Sequence, residues 1–227
     1  MRRVLVILTL NEVDGVRALS GRIPFDCADE VLATDGGSTD GTVEALQAAG
    51  LRIVPQQTRG RGEAFRLAAG ESTGECLLFF SPDGNEDPAD IPRLYAMLDE
   101  GYDMAIASRF LPESVNEEDD ARLPLRKWAN QAFTWLANAI WNRRRYVTDT
   151  INGYRAITRE AFERLAPVSV GFTIEYEMTI RAFKEGLRIA EIPTIEGPRI
   201  GGQTKAHSLR TGLVFLRLLL RELLRRG

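Results

Sequence analysis

Short apolar runs alternate with amphipathic stretches along the first half of the chain. Continuous apolar runs are typical of strands covered on both faces, whereas apolar residues that recur every three or four positions are typical of helices. Strands that alternate with helices predict a doubly wound α/β sheet, mostly parallel, with helices on both faces. The predicted strands lie near residues 4–8, 30–34, 51–54, 76–80 and 103–107.

The second half of the chain has a less regular pattern. Residues 113–120 are acidic and polar and are expected to form a mobile loop. Residues 123–142 have a helical and unusually aromatic pattern that contains all three tryptophans. Extended segments in this half would join the sheet and make it mixed. The remaining predicted elements are extended segments near 147–157 and 189–195 and helices near 159–165 and 174–185.

The last predicted helix, near residues 208–226, is amphipathic. Its arginines recur at spacings of seven and four, so they form one stripe beside a broad leucine face. Arginines inside the apolar run argue against a membrane span and favour a helix in the bilayer interface, or a homodimer contact, over simple packing on its own domain. Trp128 and Trp135, seven residues apart, favour the same interfacial placement. We therefore divide the chain into a main domain, 1–206, and an amphipathic helix, 207–227.

Composition narrows the class of protein without identifying it. The chain has 227 residues, of which 44% are hydrophobic and 27% charged, as in globular proteins with a substantial core. A net charge of -3 gives no general attraction to nucleic acid, so no such partner is expected. No signal peptide and no apolar stretch of about 18 residues is visible, which favours a cytoplasmic location.

Cysteine and histidine supply little candidate chemistry. Cys27 and Cys76 lie far apart and lack the spacing of metal ligands, so two reduced thiols are the simplest interpretation. The single histidine, His207, cannot by itself support a histidine metal site or a Ser/His/Asp triad.

Polar loops follow four of the predicted strands. In an open α/β sheet the carboxyl ends of the strands form the edge at which ligands bind. Asp83 and Asn85 follow an apolar strand and offer oxygen ligands, which suit Mg²⁺ on a substrate diphosphate. An ordinary turn is the alternative for this segment alone, since its residues are common in turns. The four loops are residues 9–12, 35–38, 83–85 and 108–109.

The loops and several later segments resemble family 2 glycosyltransferases. Their order and spacing are similar to the branch that contains the dolichyl-phosphate (polyprenyl-phosphate) mannose and glucose synthases, over roughly residues 3–206. A single short motif would be weak, whereas an ordered set is specific. The matching segments are 9–12 (TLNE), 35–42 (DGGSTDGT), 60–62 (GRG), 83–88 (DGNEDP), 108–110 (SRF), 152–156 (NGYRA) and 199–205 (RIGGQTK).

The resemblance implies a GT-A type fold and inverting transfer of a hexose from a GDP- or UDP-sugar. The acceptor would be a polyprenyl phosphate at the cytoplasmic face of a membrane, to which the protein would attach peripherally. Asp83 and Asn85 would hold Mg²⁺ or Mn²⁺, and Asp83, Arg109 and Glu177 would be catalytic. The implied donor-binding residues are Thr9, Leu10, Asn11, Glu12, Asp35, Gly37, Arg61, Ser81, Pro82 and Asp83.

A phosphate acceptor held beside an anionic donor requires cations. Arginine and lysine bind phosphate through charge-assisted hydrogen bonds, and arginine does so with a planar fork. Glu175 and Glu177 lie two apart on one helix and are expected to point to different faces, with Glu177 inward and Glu175 exposed. The candidates for the acceptor phosphate are Arg109, Arg126, Arg199 and Lys205.

Two positions depart from the family pattern. Gly36 stands where a second acid follows strand two, and Ser81 stands where the metal motif usually begins with an acid. The loss at position 81 predicts weaker metal binding or a larger role for arginines. The alternatives are a glycosyltransferase with a soluble or saccharide acceptor, a nucleotide-sugar-binding or scaffolding protein without turnover, and a nucleotidyltransferase.

Overall fold

The computed structural model describes residues 1–119, 123–200 and 208–225. Its centre is a seven-stranded sheet in the order β3-β2-β1-β4-β6-β5-β7. The strands are β1 (Arg3–Thr9), β2 (Glu30–Asp35), β3 (Arg52–Pro55), β4 (Cys76–Phe80), β5 (Met104–Ser108), β6 (Arg155–Thr158) and β7 (Ile189–Pro193). The α-helices are α1 (Val13–Leu19), α2 (Thr42–Ala48), α3 (Arg61–Glu71), α4 (Asp90–Asp99), α5 (Leu125–Trp141), α6 (Arg159–Leu165), α7 (Ile174–Lys184) and α8 (Ser208–Leu224).

The sheet is mixed, as predicted. β1 pairs in parallel with both β2 and β4, and β2 pairs in parallel with β3. β6 runs antiparallel to β4 and β5, and β7 is parallel to β5. Six strands therefore run in one direction and end at the same edge of the sheet, which is where the polar loops meet.

The core lies on both faces of the sheet because side chains alternate along each strand. On β1, Val4, Val6 and Leu8 belong to one apolar cluster, whereas Leu5 and Ile7 belong to the other. The first cluster packs under α3, α5, α6, α7 and α8, and the second under α1, α2 and α4. All five β4 side chains are fully buried, which explains the continuous apolar run in the sequence.

Some boundaries differ from the sequence predictions. The helix expected to begin at Asp87-Pro88 begins instead at Asp90, because Asp87 first forms a turn whose carbonyl accepts from the Asp90 N–H at 3.0 Å. The extended segment expected near 147–157 contributes only β6 to the sheet.

The last helix packs on the domain and also exposes a leucine face. Phe215, Leu218 and Leu219 are buried against the core. Glu222 is fully buried and pairs with Arg181 of α7 at 3.0 Å. No described helix is both long enough and apolar enough to cross a membrane. Among the side chains of α8 that the structure describes, the exposed leucines are Leu213, Leu216, Leu220, Leu223 and Leu224.

Candidate active site

A cavity of about 620 Å³ opens at the carboxyl edge of the sheet. It lies where β1, β2 and β4 end, and α3, α5, α7 and α8 each contribute residues to its walls. Five described residues that were predicted for the site, Asn11, Asp35, Gly37, Pro82 and Glu177, do not line it. The predicted site residues that line it are Thr9, Leu10, Glu12, Arg61, Ser81, Asp83, Asn85, Arg109, Arg126 and Arg199.

Asp35 organises the loop after β2 from a buried position behind the cavity. One of its oxygens accepts from the backbone N–H groups of Gly37 and Ser38, at 2.9 and 2.8 Å. The other accepts from the hydroxyls of Ser38 and Thr9, at 2.5 and 3.1 Å. Asn11 links the first two loops, because its backbone N–H donates to Ser38 Oγ at 2.8 Å. Asp35 thus holds the shape of this wall, and its direct contact with a donor stays a prediction.

The glycine at position 36 fits a close approach of two loops. A Cβ there would lie 3.1 Å from Gln56 Oε1 and 3.3 Å from a methyl carbon of Leu10. These separations leave little room for a larger side chain unless the neighbours shift. The missing acid is therefore compatible with the local packing of this chain.

Asp83 and Asn85 stand together at the cavity wall. Asp83 Oδ1 accepts from the Asn85 backbone N–H at 3.1 Å, and Asp83 Oδ2 lies 3.0 Å from Arg199 Nη1. The amide nitrogen of Asn85 donates to Glu117 Oε2 and to the Gly197 carbonyl, both at 2.9 Å. The remaining polar atom of that amide is its oxygen. A carboxylate and an amide oxygen fit Mg²⁺ or Mn²⁺ that takes its other ligands from a diphosphate and water.

The metal donor set is small in the part of the chain that the structure describes. Within these residues no group of three or more His, Cys, Asp or Glu side chains is arranged to hold a metal ion. Ser81 instead accepts a hydrogen bond from Arg61 Nη1 at 3.1 Å. A guanidinium thus lies beside the position where the family pattern has an acid.

Glu86 is a cavity residue that the sequence interpretation does not assign. Its Oε2 accepts from the Ser81 backbone N–H at 2.6 Å, so its carboxyl group lies over the start of the Ser81–Asn85 turn. Burial raises the pKa of Glu86 to about 8, the nearby Asp83 charge adds to that rise, and Arg61 opposes it. In the sequence Glu86 lies among turn residues, and nothing in that pattern indicates that its side chain faces the cavity.

The expected orientation of Glu175 and Glu177 is wrong. Glu175 lines the cavity, where its Oε1 pairs with Arg61 Nε, and its Oε2 has no hydrogen-bond partner among the described residues. Glu177 faces away and is fully buried, with Oε2 accepting from the Ser169 N–H at 2.7 Å and Oε1 lying 2.7 Å from Arg221 Nη2 of α8. Glu177 therefore ties α8 to α7.

Arg109 is fixed by a buried carboxylate. Its Nε and Nη2 donate to the two oxygens of Asp149 at 2.7 and 3.0 Å, and its Nη1 lies 3.6 Å from Glu196 Oε1. The Arg109 charge holds the pKa of the fully buried Asp149 below its usual value against the opposing effect of burial, and Asp149 in turn raises the pKa of Arg109. The guanidinium is thus fully charged and held at one place on the cavity wall.

The other two described phosphate candidates are also paired with acids. Arg126 pairs with Glu117 and, through Nε at 3.3 Å, with Glu118. Arg199 pairs with Asp83, as described above. Lys205 lies outside the described residues.

The cavity has a second, apolar wall. Leu125, Ala129 and Phe133 of α5 line it together with Phe215 of α8 and Phe172. The same helix α5 exposes Trp128 and Trp135, 52% and 60% accessible, so these tryptophans are not core residues. Helix α5 thus contributes both to the apolar wall of the cavity and to an exposed apolar surface.

Comparison with known proteins assigns the fold and motifs to a family. The model of the family described as "Glycosyl transferase family 2" matches residues 7–166. The chain belongs to glycosyl transferase family 2. This confirms the resemblance noted in the sequence and makes the protein a glycosyltransferase.

Individual relatives of this glycosyltransferase match over most of its length. "Glycosyltransferase AglJ" of Haloferax volcanii is 32% identical over 213 residues, covering 92% of this chain and 68% of the relative. "Polyprenol monophosphomannose synthase" of Mycolicibacterium smegmatis is 30% identical over 207 residues, covering 85% and 76%.

Among solved structures, the GT-A fold is shared by glucosyl-3-phosphoglycerate synthase of Mycobacterium tuberculosis. In its complex with Mn²⁺, UDP and phosphoglyceric acid it superposes with a TM-score of 0.74 at 22% identity, covering 99% of this chain and 79% of that one. The prediction of a GT-A fold is thereby confirmed.

Proposed function

We propose that this glycosyltransferase transfers a hexose from a nucleotide diphosphate sugar to a polyprenyl phosphate, with inversion at the anomeric carbon. The observation that carries the proposal is the cavity with two unlike walls. One wall presents Asp83, Arg109, Arg126 and Arg199, and the other is apolar. A lipid phosphate needs cations for its head and an apolar path for its first isoprene units. The relative named polyprenol monophosphomannose synthase supports this choice of acceptor.

On the donor side, the loop after β1 and the Asp83–Asn85 turn would hold the nucleotide sugar. Asp83 and Asn85 would hold Mg²⁺ or Mn²⁺, which when bound neutralises the charge of the departing nucleoside diphosphate. Arg61 lies beside Ser81, where a second carboxylate is missing, and supplies a further positive charge near the diphosphate. This arrangement compensates in part for the shorter metal motif.

On the acceptor side, the arginines would hold the phosphate close to the anomeric carbon. A phosphate monoester carries about -1.5 to -2 charge at pH 7, so its oxygen is nucleophilic without a strong general base. Attack forms the new bond from that oxygen to the anomeric carbon as the bond to the diphosphate breaks. Arg109 would act from its fixed position against Asp149, and Arg126 and Arg199 would complete the cationic wall.

The protein would attach peripherally to the cytoplasmic face of the membrane. Trp128 and Trp135 of α5 are exposed, and α8 exposes leucines beside Arg217 and Arg221. Tryptophan concentrates at membrane interfaces, and arginines beside an apolar face suit anionic headgroups. This surface is formed by the two helices whose other residues make the apolar cavity wall.

A radiolabel transfer assay tests the proposal. The protein is incubated with radiolabelled GDP-mannose or UDP-glucose, Mg²⁺ or Mn²⁺, and detergent-dispersed polyprenyl phosphate. We expect label in an organic-extractable product with one of the donors, together with release of the nucleoside diphosphate.

The other outcomes identify the alternatives. Label that enters only water-soluble acceptors would favour a soluble or saccharide acceptor and refute the lipid. Release of inorganic diphosphate when a nucleoside triphosphate and a hexose 1-phosphate replace the nucleotide sugar would indicate a nucleotidyltransferase. Donor binding in a thermal-shift experiment without turnover on any acceptor would favour a binding protein.

A further inference from the structure

The acidic segment 113–119 forms a loop, as expected, and packs against the acceptor side of the cavity. Val115 forms a bridge with Ile195. Glu196 Oε2 accepts from Asn116 Nδ2 and from the Glu117 backbone N–H, each at 3.0 Å. These contacts, which span about 80 positions in sequence, hold the segment at a defined place beside the cationic wall.

Within this segment, the carboxylate of Glu117 lies inside the cavity. Its Oε1 pairs with the Arg126 guanidinium, and its Oε2 accepts from Asn85 Nδ2 at 2.9 Å. One anionic group thus uses two oxygens to contact a guanidinium and an amide, as a phosphate would. The Glu117 side chain retains 27% of its accessible surface, so a competing anion can reach the pair.

Glu118 also contacts Arg126, but it differs from Glu117 in its second contact. Its Oε1 lies 3.3 Å from Arg126 Nε, while its Oε2 accepts from the Lys127 backbone N–H at 2.8 Å, near the beginning of α5. Glu118 is therefore bound to the helix backbone. Among the described residues, the Glu117 carboxylate contacts only side chains, which can rearrange without breaking a helix or strand.

We infer that Glu117 is an internal anion that occupies the acceptor-phosphate position on Arg126 and exchanges with the acceptor during turnover. The inference rests on the proposed function, because it assigns Arg126 to the acceptor phosphate. The acceptor can displace Glu117 because the two groups differ in charge. Acceptor phosphate monoester carries about -1.5 to -2 charge and three oxygens, so it displaces a singly charged carboxylate.

The same competition favours product release. A glycosylated lipid phosphate is a diester with a single negative charge and one fewer free oxygen than the acceptor. Glu117 then competes for Arg126 on more equal terms and is tethered close by, which gives it a high effective concentration. Glu117 therefore lowers the affinity of the site for both acceptor and product, and it opposes product most effectively.

Direct titration of a phosphate monoester tests this role without donor or metal. Phenyl phosphate is titrated calorimetrically, at fixed pH and ionic strength, into the wild type and into Glu117→Gln. The amide keeps the size of the side chain and can still accept from Asn85, so the fold should persist. We expect Glu117→Gln to bind phenyl phosphate roughly three- to tenfold more tightly.

Matched variants separate exchange from general electrostatics. Glu113→Gln removes the same charge from an exposed position of the same segment and should change the affinity by less than about twofold. Glu117→Asp keeps the charge on a shorter side chain and should bind with an affinity between those of the wild type and Glu117→Gln. In the transfer assay, Glu117→Gln should lower KM for polyprenyl phosphate by a similar factor.

Unchanged or weaker binding of phenyl phosphate by Glu117→Gln overturns the inference, as does an equal gain in Glu113→Gln. If Glu117→Gln does not fold, Glu117→Asp decides, and affinity equal to wild type or weaker overturns the inference. Retained lipid transfer with unchanged binding would refute this inference alone. Tighter binding without lipid transfer in any variant would refute the proposed acceptor alone and leave Glu117 as a competitor at an anion site.

Discussion

The proposed donor and acceptor sides of the cavity satisfy their polar groups in different ways. On the donor side, Asp35 accepts hydrogen bonds from backbone N–H groups and hydroxyls of the loops that it shapes. On the acceptor side, Arg109, Arg126 and Arg199 are each paired with a carboxylate. The loop after β2 is therefore held in place before any ligand arrives, whereas some arginines of the proposed acceptor side would have to exchange ion pairs.

The ion pairs on the acceptor side also differ among themselves. Arg109 and Asp149 are 10% and 0% exposed, so this pair is a permanent part of the core. Arg126 and Glu117 are 33% and 27% exposed. Only the more accessible pairs are suited to exchange, since solvent and ligands can replace a lost partner there.

The largest effect is expected from the buried pair. Asp149→Ala leaves the Arg109 charge buried without its bidentate partner and should lower the free energy of unfolding by about 3–5 kcal/mol. Urea unfolding followed by circular dichroism measures the loss. The control is Glu185→Ala, which removes a surface partner of Arg164 and should cost about 0–1 kcal/mol. Equal losses in the two variants would contradict the division between permanent and exposed pairs.

Asp83→Ala should reduce transfer by about 10²–10³-fold with little change in fold. The reason is that the diphosphate leaving group would lose the carboxylate that holds its counter-ion. Initial rates of labelled product formation, with a thermal unfolding curve for each protein, give the comparison. Asp83→Asn keeps the shape without the charge and should be almost as impaired. Activity within tenfold of wild type in Asp83→Ala would remove this residue from the reaction.

The exposed face of α8 should contribute to membrane binding. Leu216 and Leu220 are 46% and 52% exposed, and replacing both with Gln should weaken binding to anionic liposomes about tenfold or more. Liposome co-sedimentation at fixed salt measures the partition coefficient. Ile195→Gln, at an equally exposed site outside the helices, serves as the control. Unchanged sedimentation of the double variant, combined with loss of a dimer in light scattering, would assign this face to a second copy.

A smaller effect is expected in the pH dependence of the free energy of unfolding. Burial raises the pKa of Glu191, although hydrogen bonds from Thr148 and Asp149 oppose the rise. A carboxyl whose pKa is raised in the folded state binds more protons there than in the unfolded state. The free energy of unfolding therefore declines as the pH rises from about 4.5 through the folded-state pKa, by less than about 1.4 kcal/mol per pH unit. Chemical unfolding across pH 4–8 should show a shallower decline in Glu191→Gln. An unchanged slope would mean that other groups cause it.

Much of the fold could be predicted from the sequence because the strands are buried on both faces. The run at residues 76–80 coincides with β4, and the four loops after the strands meet at one edge because these strands are parallel. The family-derived motifs Thr9–Glu12 and Asp83–Asn85 supply residues to one cavity. These features depend on local pattern and on the topology that follows from it.

The incorrect expectations concern long-range packing. Every residue from Ile174 to Phe183 of α7 is buried. The helix therefore has no exposed polar face from which the orientation of Glu175 and Glu177 could be predicted. The acidic composition of residues 113–120 predicted a mobile loop, but it did not reveal that Glu196, from a distant part of the chain, contacts Asn116 and Glu117. The roles of Asn11, Gly37 and Pro82 toward the donor stay predictions.

The anchoring of α8 has a consequence for how the enzyme would sit on a bilayer. Arg181 and Lys184 hold Glu222, Arg221 holds Glu177, and Phe215 of the same helix forms part of the cavity wall. This helix of 17 residues, about 25 Å long, thus joins the surface that would meet the lipid to the cavity where the sugar would be transferred. The membrane-facing surface and the cavity would therefore keep a fixed orientation to each other. Membrane binding would set the distance of the cavity from the headgroups, and the lipid phosphate would have to leave the headgroup plane to reach it.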